Sequence, residues 1–241
     1  MYMIFITGDV HGEYDLRKFG KEEFTIQSEL TKKDYMIICG DFGFLWDESK
    51  TEKYWLRWLE RKPWTTLWID GNHENYNLLK RYKIEDWNGG QIQRISASIY
   101  HLCRGGMFNI DGRKIFAFGG AESHDKQFRI PGKTIWPEEM PSLKEMAYGA
   151  EVLSRNEWKT DIIVTHSLPT YILQELEMTN NYPPNTLTDY FEKINSITNF
   201  DFWFSGHYHL NRQCTGKHFM IFDNIVQITS DGYKIVSGEA F

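Results

Sequence analysis

Short apolar runs alternate with polar, helix-patterned stretches along the first third of the chain. Tyr2 to Thr7, Tyr35 to Cys39 and Thr66 to Ile69 are each short enough for a buried strand. Each leads through a turn into a segment predicted to be helical, near Glu13 to Phe19, Glu48 to Arg61 and Tyr76 to Tyr82. This is the rhythm of a parallel sheet with crossover helices. Trp55, Leu56, Trp58 and Leu59 recur at helical spacing, which predicts that their helix packs on a sheet. After Trp87 the rhythm changes. Asp111-Gly112 separates Met107 to Ile110 from Lys114 to Phe118, and Asp231-Gly232 separates Ile225 to Thr229 from Tyr233 to Val236. Asp-Gly between strand-like runs predicts a hairpin. Thr215-Gly216 marks a further turn, and a helix from Ser142 to Glu157 and strands Ile162 to His166 and Phe202 to His209 fill the interval. Two mixed sheets packed face to face with helices outside are expected. With no repeat or linker visible, residues 1–241 read as a single domain.

Five of these apolar runs end in a turn that carries Asp, His or Asn: Asp9 with His11, Asp41, Asn72 with His73, His166, and His207 with His209. Parallel sheets gather functional groups outside the carboxyl ends of their strands, so separate loops can deliver these residues to one place. In extended backbone, side chains two apart share a face, so Asp9 and His11 can grip one ion, and His207 and His209 repeat the spacing. Asn72 offers a neutral oxygen, and His73 beside it lies near the ions without having to bind one. Singly, each motif reads equally as a capping turn or a glycine turn. Together they form a ligand set for divalent transition metals, large enough for two ions such as Mn, Fe, Zn or Ni, and a metal-dependent hydrolase is expected.

Residues 8–12, 40–41, 71–74, 166 and 206–209 resemble the five motif blocks of the calcineurin-like metallophosphoesterases. The resemblance implies an α+β fold, a four-layer αββα sandwich, with a dinuclear centre between the sheets. It also implies that Asp9, His11, Asp41 and His209 hold one ion, that Asp41, Asn72, His166 and His207 hold the other, and that His73 stands beside the leaving group. Two such ions activate a water and clamp the attacking and leaving oxygens, while an imidazolium at His73 protonates the leaving alkoxide. One departure is visible. Many phosphomonoesterases of the family continue the second block as Gly-Asp-x-x-Asp-Arg-Gly, with Arg on the phosphate, whereas Asp41 here is followed by Phe42, Gly43, Phe44, Leu45, Trp46 and Asp47. Arg129, or else Arg104, is expected to supply the missing contact, with Ser123 and His124 on the same rim. His101 and His218 read as ordinary sheet residues.

Composition narrows the substrate. The formal net charge is -6, and no Lys/Arg stripe is present, which argues against wrapping of duplex nucleic acid. A phosphate ester is expected, among them a nucleotide or a single-stranded nucleic-acid end. Three scattered cysteines give neither a disulfide framework nor a structural zinc cluster. The chain opens on a strand pattern, without a charged leader, and has no membrane-length apolar run, so a cytoplasmic enzyme is expected. The alternative, a catalytically silent scaffold that binds protein partners, would be expected to have lost ligands, and no expected position is vacant. Oligomeric state leaves no signal in the chain.

Overall fold

Alternate residues of the central strands face different cores, and this alternation builds the layers. The computed structural model describes residues 2–241. In chain order, β1 (Ile4–Thr7), β2 (Tyr35–Ile38), β3 (Thr65–Trp68), β4 (Ile84–Trp87), β5 (Gly90–Ser96) and β6 (Ile99–Leu102) enter a first sheet. A second sheet holds β7 (Gly106–Ile110), β8 (Arg113–Phe118), β9 (Ile162–Thr165), β10 (Phe202–Ser205), β11 (Arg212–Gln213) and β12 (His218–Met220). The chain then returns to the first with β13 (Ile225–Thr229) and β14 (Gly232–Ser237). The strand orders are β14-β13-β1-β2-β3-β6-β5-β4 and β11-β12-β10-β9-β8-β7. Both sheets are parallel at the centre, along β1-β2-β3-β6 and β8-β9-β10-β12, and antiparallel at the edges.

Ile4, Ile6, Ile37 and Leu67 of the first sheet meet Ile115, Ala117, Val164 and Phe204 of the second in one buried core. Phe5, Met36, Ile38 and Trp68 point the other way, into a core closed by Leu16, Phe19 and helix α1 (Lys50–Glu60). In that helix Leu59 is buried and Trp55, Leu56 and Trp58 are partly so, as their spacing predicts. Beyond α2 (Tyr76–Leu79), the helices α3 (Leu143–Arg155), α4 (Thr170–Glu175) and α5 (Thr186–Ile197) cover the outer face of the second sheet through Met146, Ile172 and Phe191. The result is the expected four-layer αββα sandwich.

The Asp111-Gly112 turn has positive φ at both residues (51° and 81°), as a two-residue hairpin requires. Other elements differ from expectation. Glu13 to Phe19 forms only a 3-10 turn at Leu16–Phe19, and Tyr76 to Tyr82 shortens to the single turn of α2. Residues 84–102 fold into three strands, and residues 170–197 into α4 and α5, none of which the pattern announced. β4 is an edge strand with Ile84, Glu85 and Asp86 exposed, so its burial carries no period of two.

Candidate metal centre

Each candidate ligand follows the carboxyl end of a buried central strand. Asp9 and His11 follow β1, Asp41 follows β2, Asn72 follows β3, His166 follows β9, and His207 and His209 follow β10. Packing of the two sheets brings the seven together. His11, Asp41, His207 and His209 all have left-handed backbone, with φ of 48°, 45°, 72° and 50°. That conformation is costly for non-glycine residues and turns their side chains back toward one another. The flanking glycines are required by close packing: a Cβ on Gly71 would overlap Asp41 Oδ1 and come within 2.8 Å of His166 Nε2.

Asp41 lies at the middle of the cluster. Its Oδ2 is 3.2 Å from His11 Nε2, and its Oδ1 is 3.2 Å from His166 Nε2. His166 Nε2 is also 3.2 Å from Asn72 Oδ1, and His209 Nε2 is 3.1 Å from Asp9 Oδ2. The His207 ring lies 5.0 Å from that of His166, and its backbone N–H donates to Asp9. Outer partners fix the ring nitrogens: His11 Nδ1 donates to Asp15 Oδ2 at 2.7 Å, and His166 Nδ1 donates to the Cys39 carbonyl at 2.7 Å. Each leaves its Nε2 facing the carboxylates, the arrangement in which an outer hydrogen bond orients a metal-binding imidazole.

The charge balance agrees with a cation site. Burial opposes ionisation of Asp9 and Asp41, yet His166 and the neighbouring imidazoles hold both below the ordinary carboxylate range. Burial likewise opposes charging of His11 and His166, but the carboxylates around them raise these to about 10 and about 9. His207 goes the other way, to about 3, through burial and the proximity of His166. A divalent cation held by these residues would supply the positive charge that protonated imidazoles otherwise provide, with the Nε2 atoms of His11 and His166 facing the carboxylates as neutral donors. Three groups have ligand atoms within 4.8 Å of one another: Asp9, His11 and His209; His11, Asp41 and His73; Asp9, Asp41 and His166. The donor set therefore fits a metal, and a ring nitrogen of His73 lies within 4.8 Å of ligand atoms of His11 and Asp41.

Among the supporting residues, Lys18 carried no recognisable signal in the sequence, whereas Glu74 closes the motif block at residues 71–74. Lys18 is buried, and its Nζ donates to the carbonyls of Asp9 and Phe222 at 2.6 Å, pinning the first ligand loop to the start of the last hairpin. Glu74 accepts from the backbone N–H of Phe42 at 2.7 Å and fixes the turn after Asp41. Burial and the nearby Asp41 push this carboxyl well above the usual range. Residues this far apart in sequence leave no spacing to read, except that Asp15 lies four residues after His11.

Residues 2–211 match the calcineurin-like phosphoesterase family. The chain belongs to that family. Among its curated relatives, Lariat debranching enzyme A of Xenopus laevis is 27% identical over 137 residues, covering 51% of this chain and 24% of that protein. Lariat debranching enzyme of Danio rerio is 23% identical over 247 aligned positions, covering 88% of this chain and 41% of that protein. The chain thus spans less than half the length of either relative.

Within this calcineurin-like phosphoesterase the segment after Asp41 has become core. Phe42 stacks on Trp68, with ring centroids 4.4 Å apart and planes 13° from parallel, and Phe44 is buried beside it. The stretch from Phe42 to Asp47 contains no arginine. Arg104 does not replace it. Its guanidinium is buried in a two-pronged pair with Asp70 and also donates to the Glu138 carbonyl, and Asp70 is further held by His101 Nε2 at 3.0 Å and Tyr76. The expectation that Arg104 serves as a phosphate contact is therefore corrected: its charge neutralises a buried carboxylate. His101 is likewise more than a sheet residue, since it locks the loop that leads into Asn72.

Arg129 is at the centre. Its Nη2 donates to His73 Nε2 at 2.6 Å, its Nε to Asp125 at 2.6 Å, and its Nη1 lies 3.4 Å from the Asn72 carbonyl. Burial and the Arg129 charge keep His73 below its ordinary pKa despite Asp41. His124 lies near His207, with ring centroids 6.3 Å apart, whereas the Ser123 hydroxyl is turned to Glu139 at 2.8 Å. Tyr182, which the sequence did not single out, lies 5.2 Å from the His207 ring.

Proposed function

We propose that the chain hydrolyses phosphate esters with two divalent ions that share Asp41. The observation that carries this reading is the Asp41 carboxylate, whose two oxygens face imidazoles from opposite sheets at 3.2 Å. Asp9, His11, Asp41 and His209 would hold one ion, and Asp41, Asn72, His166 and His207 the other. Mn, Fe, Zn and Ni all suit this mixed oxygen and nitrogen set. When bound, such ions supply Lewis acidity, which activates water at neutral pH and neutralises phosphate oxygens.

The chain's own groups do the rest. Arg129 presents a forked guanidinium beside the centre, suited to bidentate contact with phosphate oxygens. Its transfer to an incoming phosphate would uncover His73 Nε2, which it otherwise covers at 2.6 Å. His73 can then hold a proton at Nε2 and deliver it to the leaving oxygen, an effect typically worth about 100- to 10,000-fold. His124 borders the other side, while Ser123 is held on Glu139. A liganding role for His73 is the competing reading, favoured by its grouping with His11 and Asp41. The metal content of His73→Ala separates the two, since a proton donor can be lost with both ions retained.

A phosphodiester is the favoured substrate: the stretch after Asp41 lacks the phosphate-binding arginine of the family's phosphomonoesterases, and the two relatives are lariat debranching enzymes. The test is hydrolysis of bis-p-nitrophenyl phosphate and p-nitrophenyl phosphate by metal-stripped protein, before and after addition of each ion. Activity restored by a divalent ion, and higher on the diester, is expected. Turnover that is indifferent to chelation would end the proposal.

A further inference from the structure

Two clefts open onto the metal centre from different sides. The larger, about 810 Å³, is bordered by His11, His73 and His209 and runs outward between the Gly12 to Asp15 turn and the start of α1. The smaller, about 360 Å³, is bordered by His124, Tyr182 and His207 and is lined also by Asn180 and Asn181. A phosphomonoester has one organic substituent and needs one cleft. A diester has two.

The larger cleft has a distinctive chemistry. Tyr14, Trp46 and Trp55 line it, and Tyr14 is 83% exposed at its mouth. An exposed aromatic ring at the rim of a reaction centre has no packing reason to be there, whereas a planar ligand gives it one. All the ionisable groups among its lining residues other than the histidines and Tyr14 are carboxylates: Glu13, Asp15, Asp47 and Glu52. Asp15 and Glu52 are occupied, by His11 and by the backbone N–H groups of Trp46 and Asp47. Asp47 Oδ1 accepts from the Ser49 backbone N–H at 2.9 Å, which leaves the exposed Glu13 carboxylate and Asp47 Oδ2 to accept from a ligand's N–H donors. Aromatic faces with carboxylates around them suit a nucleobase, which offers a π-face and exocyclic amines, and they repel a second phosphate.

We infer that this cleft is a nucleobase subsite, and that the substrate is a phosphodiester with a single phosphate, its nucleoside in the larger cleft and its second substituent directed to the smaller one. The inference rests on the phosphoesterase reading above and goes beyond it by naming the substituent and excluding nucleoside polyphosphates.

The test compares adenosine 5′-(p-nitrophenyl phosphate) with methyl p-nitrophenyl phosphate on the metal-loaded protein, since the two share a leaving group and differ in the nucleoside. The ratio of their kcat/KM values should favour the nucleoside ester by about 10-fold or more, the size of one base stack. Tyr14→Ala, which removes an exposed ring and leaves the fold intact, and Trp55→Leu should each cut that ratio several-fold, mainly through KM. Quenching of tryptophan fluorescence by adenosine 5′-monophosphate should weaken in Tyr14→Ala, and adenosine 5′-triphosphate should bind less well than the monophosphate. A ratio near one, or a ratio and quenching untouched by both substitutions, would overturn the subsite. Failure of the metal-loaded protein to cleave either ester while adenosine monophosphate still quenches would instead overturn the phosphoesterase reading and keep the cleft.

Discussion

Asp41 faces two imidazoles carried by different sheets, His11 after β1 and His166 after β9. An isosteric amide keeps its shape and loses the charge that both sides require. Asp41→Asn should therefore retain the fold and lose bound metal, as measured by elemental analysis of dialysed protein. His73→Ala is expected to keep its metal and lose turnover, more on alkyl than on p-nitrophenyl esters, because a poor leaving group depends more on protonation. Equal losses on both esters would contradict the proton-donor role. Arg129→Lys keeps the charge but not the fork that spans His73 and Asp125, so kcat/KM should fall about 10-fold or more with metal content unchanged. A variant with wild-type kinetics would remove Arg129 from the site.

The turns after the strands matter as much as the ligands. Gly71→Ala would force a methyl group against Asp41 and His166, and it should reduce metal affinity while leaving the far-ultraviolet circular dichroism spectrum unchanged. Wild-type metal content in this variant would mean that the loop yields freely. The strand-turn units of β1, β2, β3, β9 and β10 were legible because each is a short apolar run stopped by glycine or by a ligand. β4 to β6 and helices α4 and α5 were not, since edge exposure erases the period of β4, and α4 is a helix of six residues without a side-chain cap. The Arg129 to His73 contact joins residues 56 apart in sequence, and only its chemistry, not its geometry, could be anticipated. Further out, His218 at the start of β12 bonds Asn195 of α5 at 3.1 Å and Thr215 at 2.9 Å. Burial and Lys217 depress its pKa to about 4. Its contribution to stability is fully present above pH 6.5 and is lost as the pH falls through 6.5 toward 4. Denaturant unfolding at pH 6.5 and pH 4 should show a drop in wild type that exceeds that of His218→Gln by roughly 2–3 kcal/mol. Equal drops would show that the group charges freely in the folded state.

Across the whole molecule, the centre lies at the seam where both sheets present their parallel strand ends. No helix among the described residues is long and apolar enough to cross a membrane. Because the candidate ligands come from five strand ends of both sheets, metal binding is expected to couple to the docking of the two sheets. Saturating metal at 100 times its dissociation constant should stabilise the fold by about 2.7 kcal/mol, and chelation should lower the melting temperature accordingly. Anomalous diffraction from crystals grown with Mn or Zn would locate any ions that the Asp41 carboxylate shares. Two peaks about 3.5–4 Å apart, both in contact with Asp41, are expected. A single fully occupied ion, or two ions that do not share Asp41, would contradict a shared carboxylate.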